Sequence, residues 1–252
     1  PGDVLPGGED GAWGVFAARA PGLAARREGD GWVLDGVKPW CSLGEQLPHA
    51  LVTAGTPEGQ RLFAVDLTDA RVRGAEEPWV SRGLVAIRST SLTFDAMPAT
   101  PVGEPGFYLG RDGFAWGGIG VAAVWAGGVD GLVTAVRAAA GRREPDQIAL
   151  MHLGRLEVIT YLLDAVLADA ARAIDGGNAC GAAGLALSSR VRAVVADAVE
   201  QALTICGHAL GPGPLTSDET HARRVADLGV YVRQHHAERD LAAIGAATLE
   251  RH

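Results

Sequence analysis

The chain of 252 residues is 48% hydrophobic and 21% charged, which suffices for a sizeable buried core and excludes a disordered polypeptide. Its formal net charge of -8 disfavours a nucleic-acid or anionic membrane surface, because both need a clustered Lys/Arg face. The three cysteines form no C-x-x-C pair, no apolar run approaches the roughly 20 residues of a membrane span, and the first residues lack a secretion signal, so we expect a cytoplasmic protein without membrane contact.

The first half of the chain is predicted to form β-structure. Residues 1–10 are rich in Gly and Pro and are predicted to be an unstructured lead-in. From Trp13 to about Met97, short apolar runs recur between turn signals, a spacing typical of a compact antiparallel barrel or sandwich over residues 11–105. The expected strands cover residues 13–16, 31–34, 37–41, 50–54, 62–67, 79–80 and 91–94.

The dipeptide Asp35-Gly36 separates two apolar runs, residues 31–34 and 37–41. Asp and Gly accept positive φ at both central positions of a type I′ turn. The sequence therefore predicts a tight β-hairpin that turns at Asp35-Gly36.

The second half of the chain is predicted to be helical. Beyond Pro105 the sequence becomes rich in Ala, Leu and Val, and Gly/Pro clusters divide it into runs at about 113–140, 146–175, 183–209 and 217–249. Amphipathic helices in series predict an antiparallel four-helix bundle over residues 106–252.

Residues 118–123 match the fingerprint G-x-G-x-x-A but lie inside a helical run, which indicates close helix packing rather than a nucleotide loop. In the second run one face carries Ile148, Met151, Ile159, Leu162, Leu163, Val166 and Ala170.

The last helical run carries an apolar stripe that turns polar towards its end. Residues 225, 228, 232, 235, 239 and 242 recur at three- and four-residue steps, so His235 and Arg239 are expected to point inward. An imidazole can exchange protons near neutral pH, and a guanidinium can hold a carbonyl, phosphate or carboxylate group. The alternative is a core histidine hydrogen-bonded to Tyr231, Glu238 or Asp240. No two imidazoles share one helix face, so no metal site is predicted.

The segment Trp40-Cys41-Ser42-Leu43-Gly44 resembles the Trp-x-Thr/Ser motif of the acyl-CoA dehydrogenase family. A β-domain followed by a four-helix bundle is the order of the middle and C-terminal domains in that family. The resemblance implies bound FAD, with Trp40 packed on the flavin ring and Ser42 hydrogen-bonded to flavin N5. The alternative is a buried barrel tryptophan beside a turn serine. Of the family's Thr-Glu-Pro stretch only the proline remains, in Ala18-Arg19-Ala20-Pro21.

Further positions match the family's contacts to the rest of the dinucleotide. Gln147 resembles the glutamine that reaches the adenine half of FAD in a neighbouring subunit, and Arg137 would grip the pyrophosphate. Gly211-Pro212-Gly213 resembles the glycine-rich loop before the last helix, so Gly211 and Gly213 would let backbone amides approach the flavin. For Gln147 and Arg137 the alternatives are a helix-capping glutamine and an exposed arginine. Basic pairs such as Arg142-Arg143 are either solvated edges or anchors for one phosphorylated ligand.

The family's aspartate in the last helix matches Asp227, and eight residues later, where these dehydrogenases commonly carry the catalytic glutamate, stands His235. The resemblance implies α,β-dehydrogenation of an acyl thioester, on coenzyme A or a carrier protein, with hydride transfer to FAD. His235 would be the base and Arg239 would orient the substrate.

Two other functions stay open, because a histidine changes both the charge and the reach of the base. One is a flavin-dependent monooxygenase on the same fold, and the other is a catalytically degenerate subunit that completes a partner. The resemblance also implies a homo-oligomer. Family members usually begin with a helical domain that precedes the β-domain; we expect that this sequence is a fragment, that a second chain supplies that domain, or that the lineage has lost it.

Overall fold

The computed structural model describes residues 11–18 and 22–249. The expected lead-in at residues 1–10, and Arg19-Ala20-Pro21 of the upstream motif, lie outside the described residues. Contacts divide the chain into two compact units. The first comprises Pro1–Ser81 and Val85–Gly110, and the second comprises Arg82–Leu84 and Arg111–His252.

The first unit is a β-barrel, as the sequence predicted. Strands β4, β2, β3, β7 and β5 are hydrogen-bonded in that order, and β5 pairs back with β4, so the ring is closed; β1 adds to β4 and β6 adds to β7. The pairings are antiparallel except for those of β1 and β2 with β4, which are parallel. Leu34, Val52, Phe63 and Phe94 fill the interior. The elements are β1 Trp13–Phe16, β2 Leu23–Glu28, β3 Gly31–Ser42, β4 His49–Thr56, β5 Gly59–Asp66, β6 Val72–Gly74, β7 Ser89–Val102 and the short helix α1 Phe107–Gly110.

The predicted hairpin at Asp35-Gly36 is wrong. Glu28 pairs with Gly31, so β2 and β3 turn at residues 29–30, and Asp35-Gly36 lies in the middle of β3. The positive φ of Gly36, 120°, serves a β-bulge, since the register of β3 against β7 shifts between Leu34 and Gly36. A Cβ at Gly36 would lie 2.1 Å from the carbonyl oxygen of Gly22. The expected strand at residues 79–80 is also absent from the described part of the barrel.

The second unit is helical, and its first three long helices confirm the predicted runs to within a few residues. The core centres on α2, whose Trp125, Val129 and Leu132 are fully buried, and on Val195 and Val199 of α4. The elements are α2 Asp112–Ala140, α3 Gln147–Asp175, α4 Gly181–Leu210, α5 Gly213–Ser217, α6 Glu219–Tyr231, a 3-10 turn Val232–Gln234 and α7 Glu238–Leu249.

By length and composition alone, α2 could cross a membrane, and it is the one such helix among the described residues. The sequence analysis predicts no membrane span. A helix at the centre of a core needs the same apolar composition, because its side chains are removed from water on several sides. The composition of α2 therefore carries no membrane assignment.

The prediction of one helix over 217–249 is wrong, because the chain leaves helical geometry at His235 (φ -83°, ψ 124°) and Ala237 has a φ of 43°. A new helix begins there: the Asp240 carboxylate accepts the His236 N–H at 3.0 Å, and Arg239 N–H donates to the His236 carbonyl at 3.0 Å. Carboxylates in a first turn stabilise a helix N-terminus. The acidic Glu238 and Asp240 therefore favour a restart, and the predicted stripe does not continue into α7.

Candidate functional site

Trp40 and Ser42 lie at a second β-bulge in β3. The register against β7 shifts between Lys38 and Cys41, and Trp40 has a φ of 63°. The left-handed conformation costs a non-glycine residue about 1–2 kcal/mol. The Trp40 side chain is 66% exposed, so the alternative of a buried barrel tryptophan is wrong. The Ser42 hydroxyl lies 2.8 Å from that of Ser89 on β7.

The residue that supports this bulge is Lys38, which sequence reasoning missed. Lys38 is fully buried, and its ammonium donates to the carbonyl of Ala18 at 2.7 Å and to the carbonyl and hydroxyl of Thr53 at 2.9 and 2.8 Å. Burial lowers the pKa of Lys38 to about 8. A signal was available, because Lys38 is the sole lysine of the chain and lies inside an apolar run. Lys38 ties β3 to β4 and to the end of the segment after β1.

A cavity of about 310 Å³ lies at one end of the helical unit. It is formed by the end of α2, the start of α3 and the end of α4. Arg142 and Arg143 line it together with Asp146, whose side chain caps α3 by accepting the Ala149 N–H at 2.8 Å. Two arginines in the lining of a cavity of this size suit a phosphorylated ligand.

The predicted dinucleotide contacts cluster around this cavity without lining it. Arg137, Gln147 and Gly211 are the chain neighbours of the lining residues 136, 146 and 210. Arg137 is exposed and lies 3.8 Å from Glu157, and Gln147 is the exposed first residue of α3. Gly211 ends α4 with a φ of 64°, which favours glycine, and Gly213 begins α5. The predicted contacts therefore lie next to this cavity in the chain, and Arg142 and Arg143 are the basic residues in its lining.

His235 is 8% exposed and lies in the extended segment between the 3-10 turn and α7. Among the described residues its Nε2 has no hydrogen-bond partner; Asp240 Oδ2 lies 3.8 Å away, beyond hydrogen-bond range. Burial lowers the pKa of His235, and the nearby carboxylate of Asp240 opposes that shift. The expected alternative, a histidine hydrogen-bonded to its neighbours, is thus not formed at Nε2. The arrangement keeps a neutral imidazole with a free ring nitrogen.

Arg239 is placed differently from the prediction. It lies in the first turn of α7 and is exposed, and in the described part of the chain no hydrogen bond joins it to His235. Asp227, in contrast, has a clear structural role: its carboxylate accepts the Leu84 N–H at 2.6 Å and holds residues 82–84 against α6.

The comparisons with known proteins identify the fold. No protein-family model and no curated protein matches the chain. Glutaryl-CoA dehydrogenase of Mycobacterium smegmatis in complex with FADH2 is similar in structure, with 19% identity over 94% of this chain and 66% of that chain and a TM-score of 0.82. KijD3 in complex with FMN and a dTDP-linked amino sugar is 20% identical over 94% of this chain and 64% of that chain, with a TM-score of 0.76.

A third similar structure is the Tcur3481-Tcur3483 steroid ACAD, with 22% identity over 92% of this chain and 63% of that chain and a TM-score of 0.72. The chain thus spans about two thirds of the length of these structures. Its fold is that of acyl-CoA dehydrogenases and related flavoproteins, over their middle and C-terminal domains.

Proposed function

We propose that the protein is an FAD-dependent, acyl-CoA dehydrogenase-like oxidoreductase that introduces an α,β double bond into an acyl thioester. The observation that carries the proposal is the buried His235 imidazole, whose Nε2 has no hydrogen-bond partner among the described residues. The resemblance matches His235 to the family's base position. The fold, shared with structures that contain flavin, supports the same conclusion.

Each of the two units offers residues that suit one part of a flavin dinucleotide. Trp40 offers an exposed indole held in a strained conformation by the barrel, and Ser42 offers a hydroxyl two residues later. Arg142 and Arg143, which line the cavity, would neutralise the pyrophosphate. Gln147 follows the lining residue Asp146, and Gly211 follows the lining residue Leu210. When bound, FAD supplies the two-electron acceptor that α,β-dehydrogenation requires.

The chemistry of His235 follows from its charge. A neutral imidazole can accept the proton from the acyl α-carbon, and the Asp240 carboxylate, 3.8 Å from Nε2, would stabilise the cation that forms.

The test is an anaerobic titration of the flavin-loaded protein with acyl-CoAs of several chain lengths, followed by the loss of flavin absorbance. His235→Gln removes the base and should slow bleaching by about 100-fold or more. The matched control is His236→Gln, at the exposed neighbouring imidazole, which should keep most of the rate. Bleaching of His235→Gln at the wild-type rate would rule out the assignment of the base.

Arg142 and Arg143 give a separate test of the cofactor. Replacing both by Met should lower the affinity for FAD, which has a pyrophosphate, and leave the affinity for FMN nearly unchanged. Fluorescence titration with each flavin measures both. An equal loss of affinity for FAD and for FMN would show that the pyrophosphate does not bind at Arg142 and Arg143.

A specific observation favours each of two other functions. KijD3 contains FMN and a sugar nucleotide, which supports a flavin enzyme whose substrate is not a thioester, such as a monooxygenase. A flavin that no acyl-CoA bleaches would favour this function. The histidine at the position matched to the catalytic glutamate supports a degenerate subunit that works with a second chain, and the similar Tcur3481-Tcur3483 steroid ACAD carries two components in its designation. Flavin uptake only in the presence of that second chain would favour it.

We also propose that the chain assembles with further copies of itself through α3. On this helix Ile159, Leu163 and Ala170 are buried, while Ile148, Met151 and Leu162 of the predicted face are 61%, 41% and 43% exposed. Val158 on the same side is 69% exposed. The apolar face of α3 is therefore wider than the bundle covers, which supports a subunit interface.

A further inference from the structure

Arg192 on α4 connects three elements around His235. Its guanidinium lies 4.7 Å from the centre of the Trp125 ring on α2, donates to the Gly118 carbonyl at 3.4 Å, and donates to the Gln234 carbonyl at 3.0 Å. Trp125 is fully buried, and Tyr231 meets it edge-on at 6.0 Å. A guanidinium stacked on an indole and bonded to two carbonyls is held in one orientation.

The Gln234 carbonyl needs this donor because the helix ends there. In a continuous helix Gln234 would accept the N–H of residue 238, but the chain turns away at His235 and that bond is not formed. The last carbonyls of a helix have no partner within it, and a positive charge near them is favourable. Arg192 therefore caps the end of the turn that leads into His235.

The reach of Arg192 depends on Gly118. A Cβ at Gly118 would lie 2.5 Å from the Ser188 hydroxyl and 3.5 Å from Arg192 Cδ. The missing side chain lets α4 approach α2 closely enough for the guanidinium to meet the Gly118 carbonyl. This is a specific role for one glycine of the G-x-G-x-x-A segment.

We propose that Arg192 is a positioning residue for His235: by capping the Gln234 carbonyl it fixes the backbone that carries the imidazole. The proposal deepens the proposed function and rests on it, since a fixed imidazole matters for turnover only if His235 is the base. Arg192 acts on His235 through its hydrogen bond to the Gln234 carbonyl and does not contact the reacting atoms.

Arg192 also belongs to the charges that face His235. These are Asp240 on α7, His236, and Glu200 on α4, whose carboxylate is paired with Arg233. Burial is the main cause that lowers the pKa of His235, and Arg192 and His236 act in the same direction. Asp240 and Glu200 act against it. Removal of the Arg192 charge should therefore raise the pKa of His235.

The experiment uses histidine-selective NMR on the full chain, with the His235 signal identified by its loss in His235→Gln. Arg192→Met should move and broaden this signal, raise its titration midpoint and lower kcat by about 10- to 100-fold with a smaller change in KM. Arg192→Lys keeps the charge but cannot bond both carbonyls, so the midpoint should stay near the wild-type value while the signal still moves. The matched control Arg190→Met, at an exposed arginine of the same helix, should change neither.

The outcomes separate the two proposals. A folded Arg192→Met whose His235 signal and midpoint equal those of the wild type would overturn the positioning role. If Arg192→Met does not fold, Arg192→Lys decides, because a wild-type spectrum for that variant overturns the role as well. Wild-type turnover of His235→Gln would overturn the proposed function instead, and shifted His235 signals in both Arg192 variants would support the positioning role even then.

Discussion

Lys38 carries a net positive charge into the interior of a barrel, and its three hydrogen bonds go to uncharged oxygen atoms. Its pKa of about 8 lies below the ordinary value of 10.5. Between these two pH values the unfolded chain binds a proton at Lys38 that the folded chain does not bind. The free energy of unfolding contributed by Lys38 must therefore rise as pH increases through this window.

This predicts a difference between the wild type and Lys38→Met. In urea unfolding, the free energy of unfolding of the wild type should increase relative to that of the variant between pH 8 and 10.5, because the variant lacks the titrating group. Because Lys38 is the sole lysine, selective 15N-lysine labelling reports its midpoint directly through a single Nζ signal. A midpoint near 10.5 would show that the ammonium is solvated in the folded protein.

Trp40 gives a second prediction for a single residue. The side chain is 66% exposed, so Trp40→Ala should change the free energy of unfolding by no more than about 0.5 kcal/mol. Loss of an aromatic contact to the flavin should weaken flavin binding by about 0.5–1.5 kcal/mol, measured by fluorescence titration. Val15→Ala, at a half-exposed side chain of β1, is the control that should leave binding unchanged. Unaltered affinity in Trp40→Ala would remove Trp40 from the flavin site.

At the scale of elements, the spacing of apolar residues predicted the helices and most of the strands, because these depend mainly on local sequence. The bounds of α2, α3 and α4 follow from apolar spacing and from Gly/Pro clusters, and apolar runs marked most strands of the barrel. Asp35-Gly36 misled, because positive φ serves a bulge as well as a turn, and β2 (LAARRE) has too few branched residues to read as the partner strand. The acidic residues Glu238 and Asp240 indicated a helix start after His235. The apolar stripe nevertheless favoured one continuous helix, and this prediction was wrong.

Some residues of the candidate site can likewise be predicted from local sequence patterns. Motif spacing can point to Trp40, Ser42 and His235, because these positions are close in sequence to recognisable patterns. Lys38 and Arg192 acquire their roles from carbonyls that approach them only when distant segments pack together. The pair Arg142-Arg143 was predicted as a possible phosphate anchor, but the cavity that it lines forms only in the folded chain. No local pattern encodes the Gln234 carbonyl that Arg192 caps.

Adjacent glycines of α2 give a prediction at this scale. A Cβ at Gly128 would lie 2.5 Å from a methyl group of the buried Leu228 on α6, whereas a Cβ at Gly127 would have no atom within 4 Å. Gly127→Ala should stabilise the protein by about 0.5–1 kcal/mol through helix propensity. Gly128→Ala should destabilise it by about 1–3 kcal/mol, because α6 must move. Thermal unfolding of the two variants checks both signs, and equal shifts would contradict the packing of α2 on α6.

For the whole molecule, the uncovered apolar face of α3 predicts assembly. Val158→Asp places a charge in this face and should shift the mass measured by light scattering towards the monomer. Ala171→Asp, on the other flank of the buried face of the same helix, should leave the mass unchanged. A wild-type mass for Val158→Asp would mean that the subunits meet through another surface.

The most direct test of the account is native mass spectrometry of the purified protein after incubation with FAD. We expect subunits that each carry one FAD, in a particle of more than one chain. Trp40→Ala and the Arg142/Arg143 double variant should reduce the bound fraction. Bare polypeptide masses for the wild type, after incubation with excess FAD and with excess FMN, would contradict the claim that this fold holds a flavin.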